Sequence, residues 1–174
     1  PKITAEKLRR FCVSIFIAAG TPQDEAEIVV DNLVKTNLRG VDSHGVRAIP
    51  RYINGIKKGR IVPGSPTIVL KDTPTTAMWD SNNGFGFVVG KKAMETAIHK
   101  ADAVRIGSVG TCNPRRGDDH IGALYHYAEM AAERDMIGIV ACNTGPSVVA
   151  WGGTKRVLGV NPSPSLSQVE RRSL

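Results

Sequence analysis

The chain has 174 residues, 41% of them hydrophobic and 22% charged, which suits a folded domain with a real core and excludes a disordered segment. Its formal charge of +7 raises nucleic acid as a partner. However, the positive residues fall in scattered pairs such as Lys57-Lys58, Lys91-Lys92 and Arg115-Arg116, and only 5% of residues are aromatic, so neither a basic helix nor a base-stacking platform is expected.

Thr4-Ala5-Glu6-Lys7 predicts a helix start with Thr4 as the cap. Leu8, Phe11, Cys12, Ile15, Phe16 and Ala19 give it the 3.6-residue period, and Gly20 ends it. Thr21-Pro22 opens a second helix with Pro22 at its first position. Asp24 and Glu25 lie near its positive end, and Ala26, Val29, Val30, Leu33 and Val34 form the buried stripe. It is expected to stop near Arg39-Gly40. A Ser43-His44-Gly45 turn then leads to a third helix from about Val46, with Pro50 in its first turn and an end at Lys58-Gly59.

Two short apolar runs, Thr67–Leu70 and Thr76–Trp79, read as a β-hairpin. The turn cluster Asp80-Ser81-Asn82-Asn83-Gly84-Phe85-Gly86 precedes a long helix from about Val88 to Val104. A strand from Ile106 to Cys112, a helix from Ile121 to Arg134 and a strand from Met136 to Cys142 are expected to form a βαβ-like unit. From Pro162 the composition becomes that of a linker. The expected organisation is an N-terminal helical segment (1–60) carrying the active-site turn, an α/β portion (61–161), and a disordered tail (162–174).

Cys12, Cys112 and Cys142 lie far apart without a CxxC pair, so neither a metal site nor a disulfide framework is expected, and a cytoplasmic location fits. Cys12 and Cys142, in apolar runs, are expected in the core. The chain begins at Pro1 without an initiator Met, no signal peptide is expected, and no apolar run reaches the roughly 18 residues of a membrane span. No membrane partner is expected.

Chemistry concentrates in two places. Asp42-Ser43-His44-Gly45-Val46-Arg47, with Arg51-Tyr52 just after it, sets an imidazole, a hydroxyl, guanidinium groups and a phenol close together. An imidazole can exchange a proton with a hydroxyl or carbonyl near neutral pH, and an Arg can hold a carboxylate. The same residues can also be a plain capping turn. His120, in Asp118-Asp119-His120-Ile121-Gly122, follows a predicted strand and precedes a predicted helix, where it is either catalytic or incidental to a cap. Neither region completes a Ser-His-Asp set. Gly84-Phe85-Gly86-Phe87-Val88-Val89-Gly90 lacks dinucleotide-fingerprint spacing and reads as a turn whose glycines permit positive φ.

Asp42-Ser43-His44-Gly45-Val46-Arg47 and Arg51-Tyr52-Ile53 resemble the malate/L-lactate/L-sulfolactate dehydrogenase family, which also holds ureidoglycolate dehydrogenase and diketogulonate reductase. Asn82-Asn83-Gly84-Phe85-Gly86, His120-Ile121-Gly122-Ala123-Leu124, Cys142-Asn143-Thr144-Gly145 and Trp151-Gly152-Gly153 follow in the family's order. The resemblance covers residues 4–161. It implies N-terminal helices followed by a mixed α/β domain of the sulfolactate-dehydrogenase-like, non-Rossmann type, and a homodimer. It also implies an oxidoreductase moving a hydride between NAD or NADP and a small 2-hydroxy or 2-oxo acid. By the same resemblance His44 and His120 are the two candidates for proton transfer, Arg47 and Tyr52 lie near the substrate acid, and Ser43 lies near the catalytic imidazole. Asn143, Thr144 and Gly145 fall in the nicotinamide loop. Three features depart from the family pattern. Asn113–Asp119 replaces a short Asn-Ser-Asn-His approach to the second histidine. Family members are about twice this length. Ser163-Pro164-Ser165 and a basic tail follow Pro162 where an apolar strand is usual, so the tail is expected to reflect a truncation or a changed reading frame. The alternative is an incomplete, non-catalytic relative acting through binding or dimerisation.

Overall fold

Helix α1 (Ala5–Ala18) starts where Lys7 N–H donates to the Thr4 side chain, and Gly20, in left-handed conformation, follows its end. Its buried face is Cys12 and Phe16, while Phe11 is 62% exposed. Phe11, one of the apolar residues that set the period, lies about 100° around the helix from Cys12 and faces water. Helix α2 (Gln23–Leu38) buries all five residues of its expected stripe, and Pro22 takes the N-cap position rather than the first helical one. The α2 residue Glu25 is itself buried, and its carboxylate accepts the Gly64 N–H at 2.9 Å, tying the 60–66 loop to the start of α2. Two single 3₁₀ turns, Asp42–His44 and Val46–Ala48, precede α3 (Ile49–Lys57).

The computed structural model describes residues 3–113 and 120–166, and the chain divides into two units, Pro1–Ala123 and Leu124–Leu174. In the first unit, β1 (Ile68–Asp72) and β2 (Thr76–Asp80) form the expected hairpin, with an irregularity between Val69 and Lys71. Helix α4 (Gly86–Val104) then carries the chain to β3 (Ser108–Cys112), which pairs in parallel with β2. The βαβ unit is therefore β2–α4–β3, not the one expected around the later helix. Strand β2 alternates, with Ala77 and Trp79 buried against Ala93 of α4 and Val109 of β3. A larger core joins α1, α2, α3 and the start of α4 through Phe16, Val29, Leu33, Tyr52, Phe85 and Phe87. At the turn before α4 the left-handed residues are Asn82 (φ 50°) and Asn83 (φ 61°), not the glycines. Asparagine tolerates that region better than most residues.

In the second unit, α5 (Tyr125–Ala132) packs on β4 (Gly138–Ile139) and β7 (Ser165–Leu166), which pair antiparallel, and β5 (Val148–Val149) pairs with β6 (Arg156–Leu158). The expected strand over Met136–Cys142 is cut to two residues for a chemical reason. Val140 N–H donates to Pro164 O and Cys142 N–H to Pro162 O, but a proline has no N–H to return the bond, so only half of the ladder forms beyond Ile139. Two residues expected in the tail, Ser165 and Leu166, thus sit in a strand; residues 167–174 lie outside the described ones, as does the 114–119 part of the altered approach to His120. Cys12 is buried as expected, and burial pushes its thiol pKa up. Cys142 is only half-buried, correcting its assignment to the core. Among the described residues no helix is long and apolar enough to cross a membrane.

Candidate active site

The 3₁₀ turn that presents His44 is held by a residue the sequence gave no reason to single out. Asn37, in the last turn of α2, accepts the Val46 N–H on its Oδ1 at 2.8 Å and donates from Nδ2 to Asp42 Oδ1. One side chain thereby clamps both ends of Asp42-Ser43-His44-Gly45-Val46. Gly45 is required by this clamp: a Cβ there would stand 2.1 Å from Asn37 Oδ1. A Gly five to ten residues beyond a helix-terminal Asn was the available signal, but such pairs are common enough to pass unnoticed.

Within the clamp, Ser43 Oγ lies 2.9 Å from His44 Nδ1. Both residues are exposed. The His44 ring centroid is 5.7 Å from that of His120, so the two candidate imidazoles, 76 residues apart in the numbering, share one place. Arg47 is exposed on the next turn, three residues past His44.

Tyr52 has a different surrounding from the one expected. It is only 1% exposed, on the buried face of α3, with its ring edge-to-face on Phe87 at 5.3 Å. Its hydroxyl lies 2.8 Å from His120 Nδ1. Hydrophobic periodicity on α3 draws the ring inward, and the phenol then finds the buried partner that such groups need. Tyr52 is therefore closed off from solvent, with its hydroxyl against His120. Phe87 completes the support, with its centroid 6.2 Å from His120. The Gly122 N–H also reaches His120 Nδ1, at 3.2 Å. Gly122 has φ 70°, and a Cβ on it would lie 2.2 Å from Phe87 Cε1 and 2.8 Å from Asn32 Oδ1. The same left-handed residue keeps α5 from starting at Ile121, as the period had suggested.

The remaining expected residues, Asn143, Thr144 and Gly145, belong to the second unit, in the exposed loop between β4 and β5. Thr144 Oγ1 donates to Val160 O at 2.6 Å, and Thr144 N–H to Asn161 Oδ1 at 3.2 Å. Thr144 O would be 2.4 Å from any Cβ on Gly159. The loop is thus anchored, while nothing stands within 4 Å of a Cβ built on Gly145. The exposed Asn143 amide offers a donor and an acceptor at one edge, which fits the carboxamide of a nicotinamide. Among the described residues no group of His, Cys, Asp and Glu is arranged to hold a metal.

Residues 3–164 match the family model for malate/L-lactate dehydrogenase. The chain is 42% identical over 161 residues to the malate dehydrogenase of Pyrococcus abyssi, covering 92% of this chain and 43% of that protein. Its structure resembles the malate dehydrogenase from Pyrococcus horikoshii OT3 with TM-score 0.90 and 36% identity, covering 99% of this chain and 48% of that one. It also resembles the sulfolactate dehydrogenase from Methanocaldococcus jannaschii, with TM-score 0.88 and 36% identity over 97% of this chain and 48% of that one. The chain belongs to the malate/L-lactate dehydrogenase family, an oxidoreductase family, and has its fold. It spans slightly under half the length of these relatives.

Proposed function

We propose that the protein moves a hydride between NAD or NADP and a small 2-hydroxy or 2-oxo acid of the malate, lactate or sulfolactate type. The observation that carries this is the pairing of His44 and His120 at 5.7 Å, with the exposed Arg47 three residues after His44, in a chain of this family. Arg47 binds the acid's carboxylate. The histidines handle the hydroxyl oxygen, and Ser43 orients His44. Asn143, Thr144 and Gly145 bind the nicotinamide, which when present supplies the hydride acceptor or donor. The protein's share is binding, orientation and movement of the hydroxyl proton. The working assembly in this reading is a homodimer in the cytoplasm, with a small-molecule acid as its partner.

Fluorescence titration with NADH and NADPH tests the reading, followed by turnover assays on malate, lactate and sulfolactate. Saturable cofactor binding and a rate that falls about 10²–10⁴-fold in His44→Ala are expected. If neither cofactor binds, the enzyme reading is lost, and a non-catalytic relative acting through binding or dimerisation takes its place. Light scattering on the purified protein reads the homodimer directly.

A further inference from the structure

The turn that carries His44 has no apolar side chain to hold it. Asp42, Ser43 and His44 are all exposed, and they form a single 3₁₀ turn with no side-chain cap. The hydrogen bonds of a 3₁₀ turn are poorly aligned, and one turn of them holds little by itself. We infer that Asn37 is a positioning residue for His44: its carboxamide, acting through Asp42 and the Val46 N–H, sets where the imidazole stands and through it the rate. This deepens the proposed function and rests on it for the rate, though not for the placement of the ring.

A carboxamide suits this duty because it carries an acceptor and a donor side by side on one rigid plane. Its two partners leave no choice of orientation. Val46 N–H only donates, so it takes Oδ1, at 2.8 Å. The Asp42 carboxylate only accepts, so it takes Nδ2, and its charge strengthens that bond. One contact falls before His44 and the other after it, so the ring stands in the middle of the clamped span. The clamp itself belongs to α2, whose Ala26, Val29, Val30, Leu33 and Val34 are all buried. Just past Asn37, Val41 N–H ties the chain back to Thr36 O at 3.1 Å. The exposed turn thereby takes its position from a packed helix, which is the more rigid reference.

Gly45 is a second sign of this arrangement. Its backbone is extended, with φ −92°, a value that other residues also adopt. A Cβ there would nevertheless stand 2.1 Å from Asn37 Oδ1 and 2.9 Å from Nδ2. The absent side chain makes room for a carboxamide whose two ends are both in use. Placement of this kind matters to rate because a misplacement of about 1 Å costs about 10²-fold. Without the clamp, His44 would no longer be held beside His120, whose ring centroid is 5.7 Å away.

NMR of protein labelled with ¹³C-histidine reads the ring placement without turnover. Signals missing in His44→Asn and in His120→Asn assign the two rings. Asn37→Leu keeps the size of the side chain and removes both hydrogen bonds. In it the His44 signals should shift and the nuclear Overhauser contact between the two rings should be lost, while that between His120 and Tyr52 remains. In assays with NADH or NADPH and a 2-oxo acid, its kcat should fall about 10²-fold with KM little changed. Asn37→Asp should lose as much, since two carboxylates then face each other. Adding Asp42→Asn swaps donor and acceptor and should regain about 10-fold in kcat over Asn37→Asp. Thr4→Ala, which removes the α1 cap, controls for lost stability alone and should keep kcat. A His44 ring unmoved in Asn37→Leu, a kcat in that variant equal to that of Thr4→Ala, or a swapped pair no faster than Asn37→Asp overturns the proposal. Should Asn37→Leu not fold, the swapped pair and its ring contact decide. Absence of turnover in the wild-type protein would remove the functional reading and the effect on rate with it, while the ring contact still decides whether Asn37 places His44.

Discussion

Replacing Gly122 with Ala perturbs the support of His120 without touching either imidazole. Gly122 sits at φ 70°, and an added Cβ meets Phe87 Cε1 at 2.2 Å and Asn32 Oδ1 at 2.8 Å. Left-handed backbone costs an L-residue about 1–2 kcal/mol, and overpacking a filled interior adds about 1–3 kcal/mol, for a total of roughly 2–5 kcal/mol. Phe87 is 1% exposed, and Tyr52, 1% exposed, packs on it at 5.3 Å. The ring therefore has little room to move, and the clash must be relieved by the 120–122 backbone or by the whole cluster. For a chain of this size the expected fall in Tm is about 4–20 °C, read by circular dichroism, with urea titration as a check. If Gly122→Ala unfolds within about 0.5 kcal/mol of the wild type, the close approach and the support of His120 drawn from it are wrong.

Asn37→Ala removes both arms of the clamp on the His44 turn and should cost about 1–3 kcal/mol in urea unfolding. Asn37→Asp keeps the acceptor for Val46 N–H but sets a carboxylate against Asp42, so adding Asp42→Asn should restore part of the loss. Simple additivity of the two substitutions in a double-mutant cycle would argue against the contact. Tyr52→Phe preserves the packing on Phe87 and removes one hydrogen bond, at about 0.5–1.5 kcal/mol. It should lower kcat with KM little changed; a raised KM at constant kcat would instead put the phenol on the substrate. Cys12 should resist iodoacetamide until the protein unfolds, while half-buried Cys142 reacts, as peptide mass spectrometry would show. Burial raises the folded Cys12 pKa, so its contribution to stability is complete below the ordinary thiol value and is lost as pH rises past it. Equal labelling of the two cysteines in the native state would contradict the burial.

Local pattern carried much of the first unit. The α2 stripe was legible because all five of its apolar residues recur at helical spacing, and the same holds for the α4 period and the β1–β2 hairpin. Phe11 shares the apolar period of α1 yet is exposed, because period alone does not say how wide the buried arc is. At the site, the resemblance gathered His44, Ser43 and His120, but nothing in it distinguished Tyr52 touching substrate from Tyr52 backing an imidazole. That choice depends on which face of α3 meets Phe87. Asn37 was missed because its partners, Asp42 and Val46, are a carboxylate on a turn and a backbone N–H. Neither leaves a periodic signature.

The sequence by itself determined the helices, the hairpin and the family, and singled out the two histidines as candidates, because each follows from neighbours within a few residues or from motifs in fixed order. Only the tertiary structure decided which strands pair and which groups each imidazole meets. The parallel β2–β3 ladder joins segments separated by the whole of α4, and the β4–β7 pair is shortened by prolines that come more than 20 residues later. Tyr52 meets His120 across 68 residues of chain. Which side chain meets an imidazole is settled only when distant segments have packed.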